Sequence, residues 1–373
     1  MVNLLRRNID WVLFLSIIPI IGAGLITMNS FSPDNHFFDR QIAWVGISLF
    51  VLILFSFFDF RFLRRTDILV GLFILSCVAL LGLFVVGYAA KGSKSWFDLG
   101  GFSFQPSDPM KLVLILVLAK YFSRRHIDIA NIKHIIISGL YAGIPFILVL
   151  MEPDFGSAVV LFFIWLGMII VSGVSKKHLL FVFIVGVVSV VLLWAFVFQP
   201  YQKARIATFF NPLTDIRGSG YNAYQSTIAV GSGEVFGKGV GYGTQSRLKF
   251  LPEYQTDFIF AAFAEEWGLW GVILLFLLYG ILIWRILVNA TVGATNFEML
   301  YGMGLALFFM IHFIINIGMN IGIFPVTGLT APFMSYGGSH LLTESLGLGI
   351  LMGMRKYSRA THRDSIKNEF LGI

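Results

Sequence analysis

Charged residues are scarce in this sequence, since only 13% of its 373 residues are Asp, Glu, Lys or Arg. An ordinary soluble domain carries roughly 25% charged residues. Hydrophobic residues reach 57%, and the mean hydropathy is +0.83. Because a soluble fold cannot bury that much apolar surface, the composition excludes a soluble globular protein. It predicts an all-α polytopic membrane protein.

Cysteine is almost missing as well, since Cys77 is the only one. A single cysteine excludes a disulfide framework and a cysteine-based metal site. The formal net charge is +7, but the basic residues form short clusters between apolar segments. That distribution is typical of a membrane protein rather than of a nucleic-acid-binding protein.

The sequence also contains no nucleotide-binding signature. Segment 218–243 is rich in glycine, but Lys238 is followed by Gly239 rather than by Ser or Thr, and no βαβ pattern surrounds it. Two interpretations stay open for this segment. Either the segment is a flexible loop, or its backbone amides bind an anion with the help of Lys238, Arg247 and Lys249.

Ten apolar segments predict about ten transmembrane helices. They lie at roughly 11–28, 41–58, 68–88, 109–122, 135–151, 156–172, 179–198, 257–285, 299–321 and 341–354. The first is long enough to span the membrane, which argues against a cleavable signal. We expect a single integral membrane domain over residues 1–373, with a large loop at 199–256 between spans seven and eight.

Basic residues predict the orientation. With the N-terminus in the cytoplasm, the inner side collects most of the basic residues in short loops, from Arg6 to Arg285, together with the basic C-terminal tail. Both termini are therefore expected in the cytoplasm. The polar segments 89–108, 199–256 and 322–340 then face outward, so the large loop is extracytoplasmic.

An acidic residue stands where the eighth predicted span begins, in segment 250–268, FLPEYQTDFIFAAFAEEWG. A carboxylate at a membrane boundary is costly unless it is used or paired. In a continuous helix, Asp257 and Glu265 share one face. The alternative is an N-cap formed by Asp257 together with Thr256. We take Asp257 as the candidate chemical centre because Glu253, Glu265 and basic loop residues converge on the same helix end.

Asp108 and Lys111 stand three residues apart where the fourth span begins. Pro109 favours the first helical position, so Asp108 is expected to be an N-cap, with Lys111 extending toward the interface. The alternative is that Lys111 is a cation inside a cavity that binds a phosphate.

Other ionisable residues carry weaker signals. Glu152 and Asp154 flank Pro153 in a short outer turn, where they could bind a cation, but we expect both to be solvated. His312 has no ligand partner at metal spacing, so we expect a packed, hydrogen-bonded histidine. Glu344 lies near the start of the tenth span, where an ionisable group usually faces a polar cavity.

Seven motifs that follow one another along the chain resemble a known family. The chain resembles the SEDS proteins (shape, elongation, division and sporulation), which polymerise bacterial cell-wall glycan, and it is closer to their RodA elongation branch than to their FtsW division branch. The resemblance covers nearly the whole chain. The motifs are KSWFDLG (94–100), FQPSD (104–108), MEPDFGSA (151–158), ARIATFFNP (204–212), GYNAYQS (220–226), GTQSRLKFLPEYQTDFIFAAFAEEWG (243–268) and PVTGLTAPFMSYGGS (325–339).

The resemblance implies a peptidoglycan glycosyltransferase of the bacterial cytoplasmic (inner) membrane that joins lipid II units during cell elongation and shape maintenance. It implies an essential role for Asp257, and it matches Lys94, Trp96 and Lys111 to family positions. It also implies a class B penicillin-binding protein as partner, since no serine–lysine acyl-transfer motif occurs in the outer loops.

Several positions depart from the family pattern, including Glu234, which interrupts a common Gly-Gly pair, and Thr330–Ala331, which stand where the family often has Pro-Leu. Asp108 stands where the family usually has Glu, Pro109 replaces a bulky apolar residue, and His340 replaces a small residue. The shorter carboxylate and the proline would move the acidic group by about 1.5 Å, the rise of one helical residue.

The reaction implied by this resemblance is attack of the 4-hydroxyl of one lipid-linked disaccharide on C1 of another, with release of undecaprenyl diphosphate. Asp257 is the candidate general base. Lys111, with Arg205, Lys249 or a divalent cation (Mg or Mn), would neutralise the leaving group. The predicted substrate-binding residues are Lys94, Trp96, Asp108, Lys111, Arg205, Lys249, Glu265 and Ser335.

Two other functions stay open. A lipid II flippase would also have about ten spans with intramembrane charges, but its charged groups would follow a path through the bilayer. Here the charges cluster toward the outer face, which favours the enzyme. The other alternative is a non-catalytic scaffold for a penicillin-binding protein.

Overall fold

The computed structural model describes residues 9–30, 36–90, 93–98, 100, 103–124, 132–197, 200–210 and 219–371, and this part of the chain contains thirteen α-helices. The helices are α1 (Trp11–Asn29), α2 (His36–Ser56), α3 (Thr66–Val86), α4 (Ser107–Ser123), α5 (Ile132–Met151), α6 (Phe155–Val171), α7 (Lys176–Leu192), α8 (Pro200–Phe210), α9 (Ser219–Ser232), α10 (Thr244–Arg247), α11 (Ile259–Thr291), α12 (Asn296–Asn320) and α13 (Gly338–Leu371). A 3-10 helix (Phe60–Arg64) precedes α3, and a π-helical turn (Leu193–Val197) extends α7.

Each of the ten predicted spans coincides with a helix. Seven of the described helices (α1, α2, α3, α5, α7, α11 and α12) are long and apolar enough to cross a membrane, so the chain is a multi-pass membrane protein. Helices α4 and α6 have only 17 residues each, and α13 is the most polar of the ten. The number of ten spans therefore stays a prediction.

The connections between the helices gather at two ends of the bundle: Asp10 bonds Arg285 and Arg355 at one end, and Gln41 bonds the carbonyl oxygen of Ser335 at the other. We call them the Asp10 end and the Asp257 end. The Asp10 end carries the start of α1 and the turns that follow α2, α4, α6 and α11. The Asp257 end carries a small sheet, helices α8 to α10 and segment 322–337.

The most enclosed helices lie in the middle of the bundle. Nearly every side chain of α4 is buried, and α12 is far more enclosed than α2, α3 or α7, whose large apolar side chains remain exposed as expected for a lipid-facing surface. Small residues let helices approach closely. At Gly304 of α12, for example, a Cβ would stand only 2.6 Å from the side chain of Ile115 in α4.

Helix α11 is bent at Gly268, where φ is 63° and ψ is −165°. A Cβ at Gly268 would stand 2.2 Å from the backbone nitrogen of Gly237, and a Cβ at Gly237 would stand 2.1 Å from the carbonyl oxygen of Glu266. Only glycine fits this left-handed conformation together with such close contact. The glycine-rich segment 233–243 therefore packs directly into the bend of α11.

The connections at the Asp257 end contain structure that hydropathy did not predict. The segment between α3 and α4 forms a three-stranded antiparallel sheet, and the large loop at 199–256 contains helices α8, α9 and α10. In the sheet, Tyr88 pairs with Trp96 and Phe97 pairs with Phe104. The strands are β1 (Tyr88–Ala90), β2 (Ser93–Asp98) and β3 (Ser103–Phe104).

Candidate active site

Asp257 lies in the turn that precedes α11. The helix begins at Ile259 with Phe258 as its N-cap, so the alternative that made Asp257 an N-cap is wrong. The aspartate is half-buried, and its Oδ2 atom lies 3.6 Å from the position that a Cβ would take on Gly328. The carboxylate therefore faces the backbone of segment 322–337 and is not sealed inside the bundle.

Two asparagines of α12 fix the backbone at Asp257. The Nδ2 atoms of Asn316 and Asn320 donate to the carbonyl oxygen of Asp257 at 3.0 and 3.1 Å. Asn316 also donates to the carbonyl oxygen of Leu329 at 2.7 Å. Both asparagines are buried and stand four residues apart, on one face of the helix. Together they set the position of Asp257 relative to Gly328.

Ser335 makes a second connection between segment 322–337 and the turn. Its Oγ donates to the carbonyl oxygen of Thr256 at 2.6 Å and accepts from the backbone nitrogen of Ala331 at 2.8 Å. One residue further on, the backbone nitrogen of Tyr336 donates to the carbonyl oxygen of Gln255 at 2.8 Å. The structure thus brings Ser335 next to the residue that precedes Asp257. Its substrate-binding role stays a prediction.

Glu265 is fully buried in α11, where it anchors the neighbouring loop. Its Oε1 accepts from Lys238 Nζ at 2.7 Å and from Thr244 Oγ1 at 3.1 Å. Asp257 precedes the first residue of α11, so the prediction that it shares a helical face with Glu265 is wrong. The two carboxylates have separate surroundings, and a substrate-binding role for Glu265 stays a prediction.

Backbone amides of segment 233–243 form hydrogen bonds within the protein. Lys238 N and Gly239 N donate to the carbonyl oxygens of Glu265 and Glu266, each at 3.0 Å. Gly241 N donates to Glu266 Oε1 at 2.7 Å. The bend in α11 leaves backbone carbonyl oxygens without partners inside the helix, and these amides donate to them. The amides therefore do not form the anion-binding site that the sequence allowed. A flexible loop does not describe this packed segment either.

Asp108 and Lys111 form a buried ion pair near the start of α4. Lys111 Nζ lies 3.0 Å from Asp108 Oδ1, and the two residues are 1% and 3% exposed, respectively. Helix α4 begins at Ser107 with Pro106 as its N-cap, so the prediction of Asp108 as the N-cap is wrong. His340 Nδ1 lies 3.3 Å from the same carboxylate oxygen. Lys111 therefore does not extend toward the interface.

Arg205 lies on α8 beside segment 322–337. It is half-buried, and its Nη1 donates to the carbonyl oxygen of Val326 at 3.4 Å. Arg205, Tyr224 and Phe324 help to line a cleft of about 70 Å³ between α8, α9 and this segment. The guanidinium group therefore lies at an opening on the surface. Its partner, Val326, precedes Gly328 by two residues.

The remaining predicted residues are more scattered. Lys249 is exposed, in a left-handed backbone conformation with φ of 59°. Trp96 is half-buried in β2. Lys94 also belongs to β2, but its side chain lies outside the described residues. The binding roles of these three residues stay predictions.

Glu152 differs from its predicted solvated state. It is 1% exposed, in the turn between α5 and α6. Burial, together with the nearby charge of Asp154, raises the pKa of this carboxyl to about 8. Asp154 has a structural role instead, since its side chain accepts from Ser157 N at 3.0 Å and caps α6.

Sequence reasoning missed three residues around the site. Asn316 and Asn320 bear on Asp257 directly, and two amides four residues apart in an apolar helix were a signal that could have found them. His340 was noted only as a departure from a pattern. Its contact with Asp108 joins residues more than 200 positions apart, and nothing local in the sequence shows it.

The chain is similar to known proteins over almost its full length. The sequence profile of a family described as cell cycle protein, FtsW/RodA/SpoVE, matches residues 3–360. Stage V sporulation protein E of Bacillus subtilis is 36% identical, and the alignment covers 95% of this chain and 99% of that protein. The peptidoglycan glycosyltransferase MrdB of Escherichia coli K12 is 33% identical, with 92% and 91% covered.

Solved structures share the fold. A chain from a structure described as the coordination of polymerization and crosslinking by a peptidoglycan synthase complex superposes with a TM-score of 0.80 at 29% identity, covering 94% of this chain and 98% of that one. The rod shape determining protein RodA of Thermus thermophilus gives a TM-score of 0.69 at 30% identity, covering 93% and 96%. Sequence profile, relatives and fold agree, and the chain belongs to the FtsW/RodA/SpoVE family of cell cycle proteins.

Proposed function

We propose that this protein is a peptidoglycan glycosyltransferase that polymerises lipid II, with Asp257 as its general base. The observation that carries the proposal is the placement of Asp257. Asp257 is half-buried at one end of the bundle, while its backbone is held by Asn316 and Asn320. A base must be both accessible and held in position to remove a proton from a bound hydroxyl. Relatives named peptidoglycan glycosyltransferases support the same reaction.

In the proposed reaction, Asp257 takes the proton of the 4-hydroxyl of the acceptor disaccharide. The hydroxyl oxygen bonds to C1 of the donor muramyl sugar as the bond from C1 to the diphosphate oxygen breaks. Undecaprenyl diphosphate leaves with the electron pair, and Asp257 ends protonated. No nucleotide is needed, because the lipid diphosphate already activates the donor.

The leaving diphosphate needs positive charge nearby. Arg205 is the best-placed cation, because it lines the cleft beside segment 322–337. Lys249 is exposed on the same end of the bundle. Lys111 is buried against Asp108, so it would act on the leaving group only if substrate entered between α4 and α13.

A divalent cation, Mg²⁺ or Mn²⁺, stays part of the proposal as an additional charge. Among the described residues, no three His, Cys, Asp or Glu side chains come together in a group that could hold a metal ion. No step of the proposed reaction is therefore derived through a resident metal.

We propose that the Asp257 end faces outward and that both termini lie in the cytoplasm. Basic residues in short connections support this orientation, since they collect at the Asp10 end. They include Arg61, Arg64, Arg65, Lys120, Arg124, Lys133 and Lys177. In this orientation the large loop is extracytoplasmic. We also propose that the protein acts in cell elongation with a class B penicillin-binding protein, which would supply the crosslinking step.

The decisive experiment supplies the purified protein with lipid II in detergent and separates the products on a gel, with and without the penicillin-binding protein. A polymerase produces long glycan strands although no bilayer is present to cross. A flippase leaves lipid II unchanged, and so does a scaffold. Absence of polymer under both conditions, from protein shown to be folded by its thermal unfolding transition, would reject the proposed function.

A further inference from the structure

Ionisable side chains from three helices meet inside the bundle, below segment 322–337. Each is less than 10% exposed, and ionisable groups inside a membrane protein are costly unless they are paired or used. The group, which we call the buried cluster, consists of Asp108 and Lys111 from α4, His312 from α12, and His340 and Glu344 from α13.

His340 bridges the two carboxylates of the buried cluster. Its Nδ1 forms a hydrogen bond with Asp108 Oδ1 at 3.3 Å, and its Nε2 lies 2.9 Å from Glu344 Oε1, which is within ion-pair distance but outside hydrogen-bond geometry. A neutral imidazole carries no net charge, whereas an imidazolium is a cation with an N–H group at both ring nitrogens. Two ionised carboxylates on opposite sides of one ring therefore favour the doubly protonated form.

The charge balance of the buried cluster leads to the same form. Asp108 and Glu344 bring two negative charges, and Lys111 brings one positive charge. With both carboxylates ionised, the cluster is neutral only if His340 is the second cation. His312 lies against His340, with ring centroids 4.6 Å apart, but within the described residues no carboxylate lies within ion-pair distance of it. This environment favours a neutral His312, beside two cations.

Glu344 carries the connection from the buried cluster into segment 322–337. Its Oε2 accepts from the backbone nitrogen of Phe333 at 2.9 Å. Phe333 has a φ of 58°, a left-handed conformation that is uncommon for a bulky residue and persists only where its surroundings hold it. Two residues further on, Ser335 bonds the carbonyl oxygen of Thr256, which immediately precedes Asp257. Polar contacts thus extend from the Asp108 pair to the candidate base.

We propose that His340, as a buried imidazolium, and Glu344 are positioning residues that tie the Asp108–Lys111 pair to the segment that holds Asp257. Neither touches the reacting atoms; they act on Asp257 through Phe333 and Ser335. The predicted effect on polymerisation rests on the proposed function above. The protonation state of His340 and its effect on stability do not.

The protonation state can be measured directly. Protein labelled with ¹⁵N-histidine is reconstituted in lipid, and the ring-nitrogen signals are recorded at neutral pH for the wild type and for His340→Gln. We expect the signal that disappears to be that of an imidazolium. His312→Gln is the matched control, and the signal lost there should be that of a neutral imidazole. A neutral imidazole at His340 would overturn the proposal.

A charge cycle tests the positioning role. His340→Gln leaves two carboxylates with one lysine, so the Tm should fall by several degrees, and kcat for polymerisation should fall on the order of 10²-fold with little change in KM. Adding Glu344→Gln restores neutrality, while its amide oxygen can still accept from Phe333 N. The double variant should therefore recover much of the Tm and of kcat.

Lost packing alone predicts a different pattern. If the double variant is no better than His340→Gln, or if His340→Gln polymerises at the wild-type rate, the positioning role is wrong. If the wild type itself makes no polymer, the proposed function fails instead. The nitrogen signals and the Tm values then still decide the charge state of His340.

Discussion

The two ends of the helix bundle both bury carboxylates, but they satisfy them differently. At the Asp10 end, Asp10 Oδ2 accepts from Arg285 at 2.6 Å, from Asn289 at 2.9 Å and from Arg355 at 2.8 Å. Glu298 is likewise paired with an arginine, and it completes the capping box of α12. The charges at this end join helices that are far apart in sequence.

At the Asp257 end, several buried carboxylates keep an oxygen atom without a hydrogen-bond partner. They belong to Asp108, Glu152, Glu266 and Glu344. Left-handed backbone conformations collect there as well. In the described chain, the residues other than glycine with positive φ are Pro153, Glu234, Lys249, Glu253 and Phe333, and all of them lie at this end. Backbone strain concentrates at functional sites, so the left-handed conformations support the proposal that the chemistry takes place at the Asp257 end.

The largest expected effect on stability lies at the Asp10 end. Asp10→Asn would leave Arg285 and Arg355 without their shared anion, which typically costs about 3–5 kcal/mol for a buried pair. The Tm should fall strongly, while the polymerisation rate per folded molecule stays unchanged. Asp59→Asn is the matched control, because its ion pair with Arg61 is exposed and worth about 0–1 kcal/mol. Equal losses of Tm in both variants would contradict the distinction.

In contrast to Asp10→Asn, the substitution Asn316→Leu should act mainly on the polymerisation rate. The substitution removes the donors to the carbonyl oxygens of Asp257 and Leu329, and a displaced base loses rate on the order of 10²-fold. The measurement is lipid II polymerised per folded molecule. Asn289→Leu serves as the control, because its amide bonds Asp10 at the opposite end. It should lower the Tm and leave the rate unchanged; a rate loss in the control as large as that of Asn316→Leu would refute the contrast.

Ser335→Ala should have a smaller effect. It removes a hydroxyl that bonds Thr256 O and Ala331 N, a loss of about 1 kcal/mol, and each 1.4 kcal/mol of barrier changes a rate about tenfold. We expect a rate several-fold below the wild type. Ser172→Ala, which removes a hydroxyl bound to Met168 O near the end of α6, should keep the wild-type rate. Wild-type turnover by Ser335→Ala would show that this contact does not position the base.

The last expected effect, on stability rather than on rate, is a pH dependence at Glu152. Its pKa is raised from the usual range to about 8, so the folded protein holds a proton there that the unfolded chain releases near its ordinary pKa of about 4.5. Stability should therefore be highest below pH 4.5 for this group and should fall as the pH rises toward 8. Glu152→Gln should flatten the fall in Tm between pH 5 and pH 8. An unchanged slope would contradict a buried neutral carboxyl.

Local sequence signals predicted the helices well, because apolar runs are properties of the sequence itself. Every predicted span coincides with a helix, and the family resemblance is confirmed. The small sheet and helices α8 to α10 were not predicted, since they depend on packing at the Asp257 end. Helix α4 shows why a count of spans is difficult: Asp108 and Lys111 lower its hydropathy, but they are paired inside the bundle rather than exposed to lipid.

The candidate site was predicted in part. Asp257 and Ser335 do lie beside the same turn, and Asp108 pairs with Lys111 as their spacing allows. The shared helical face of Asp257 and Glu265 failed because it assumed that the helix begins two residues earlier than it does. The asparagine contacts and the bridge at His340 join distant segments, and only the folded structure shows them.

The most direct test of the central claim is the polymerisation rate of Asp257→Asn, measured on purified protein with lipid II. Asparagine keeps the size of the side chain and the backbone contacts with Asn316 and Asn320, so the Tm and lipid II binding should match the wild type. The rate should fall by about 10²–10⁴-fold, the usual contribution of one positioned general base. A variant that still polymerises within a few-fold of the wild-type rate would show that Asp257 is not the base.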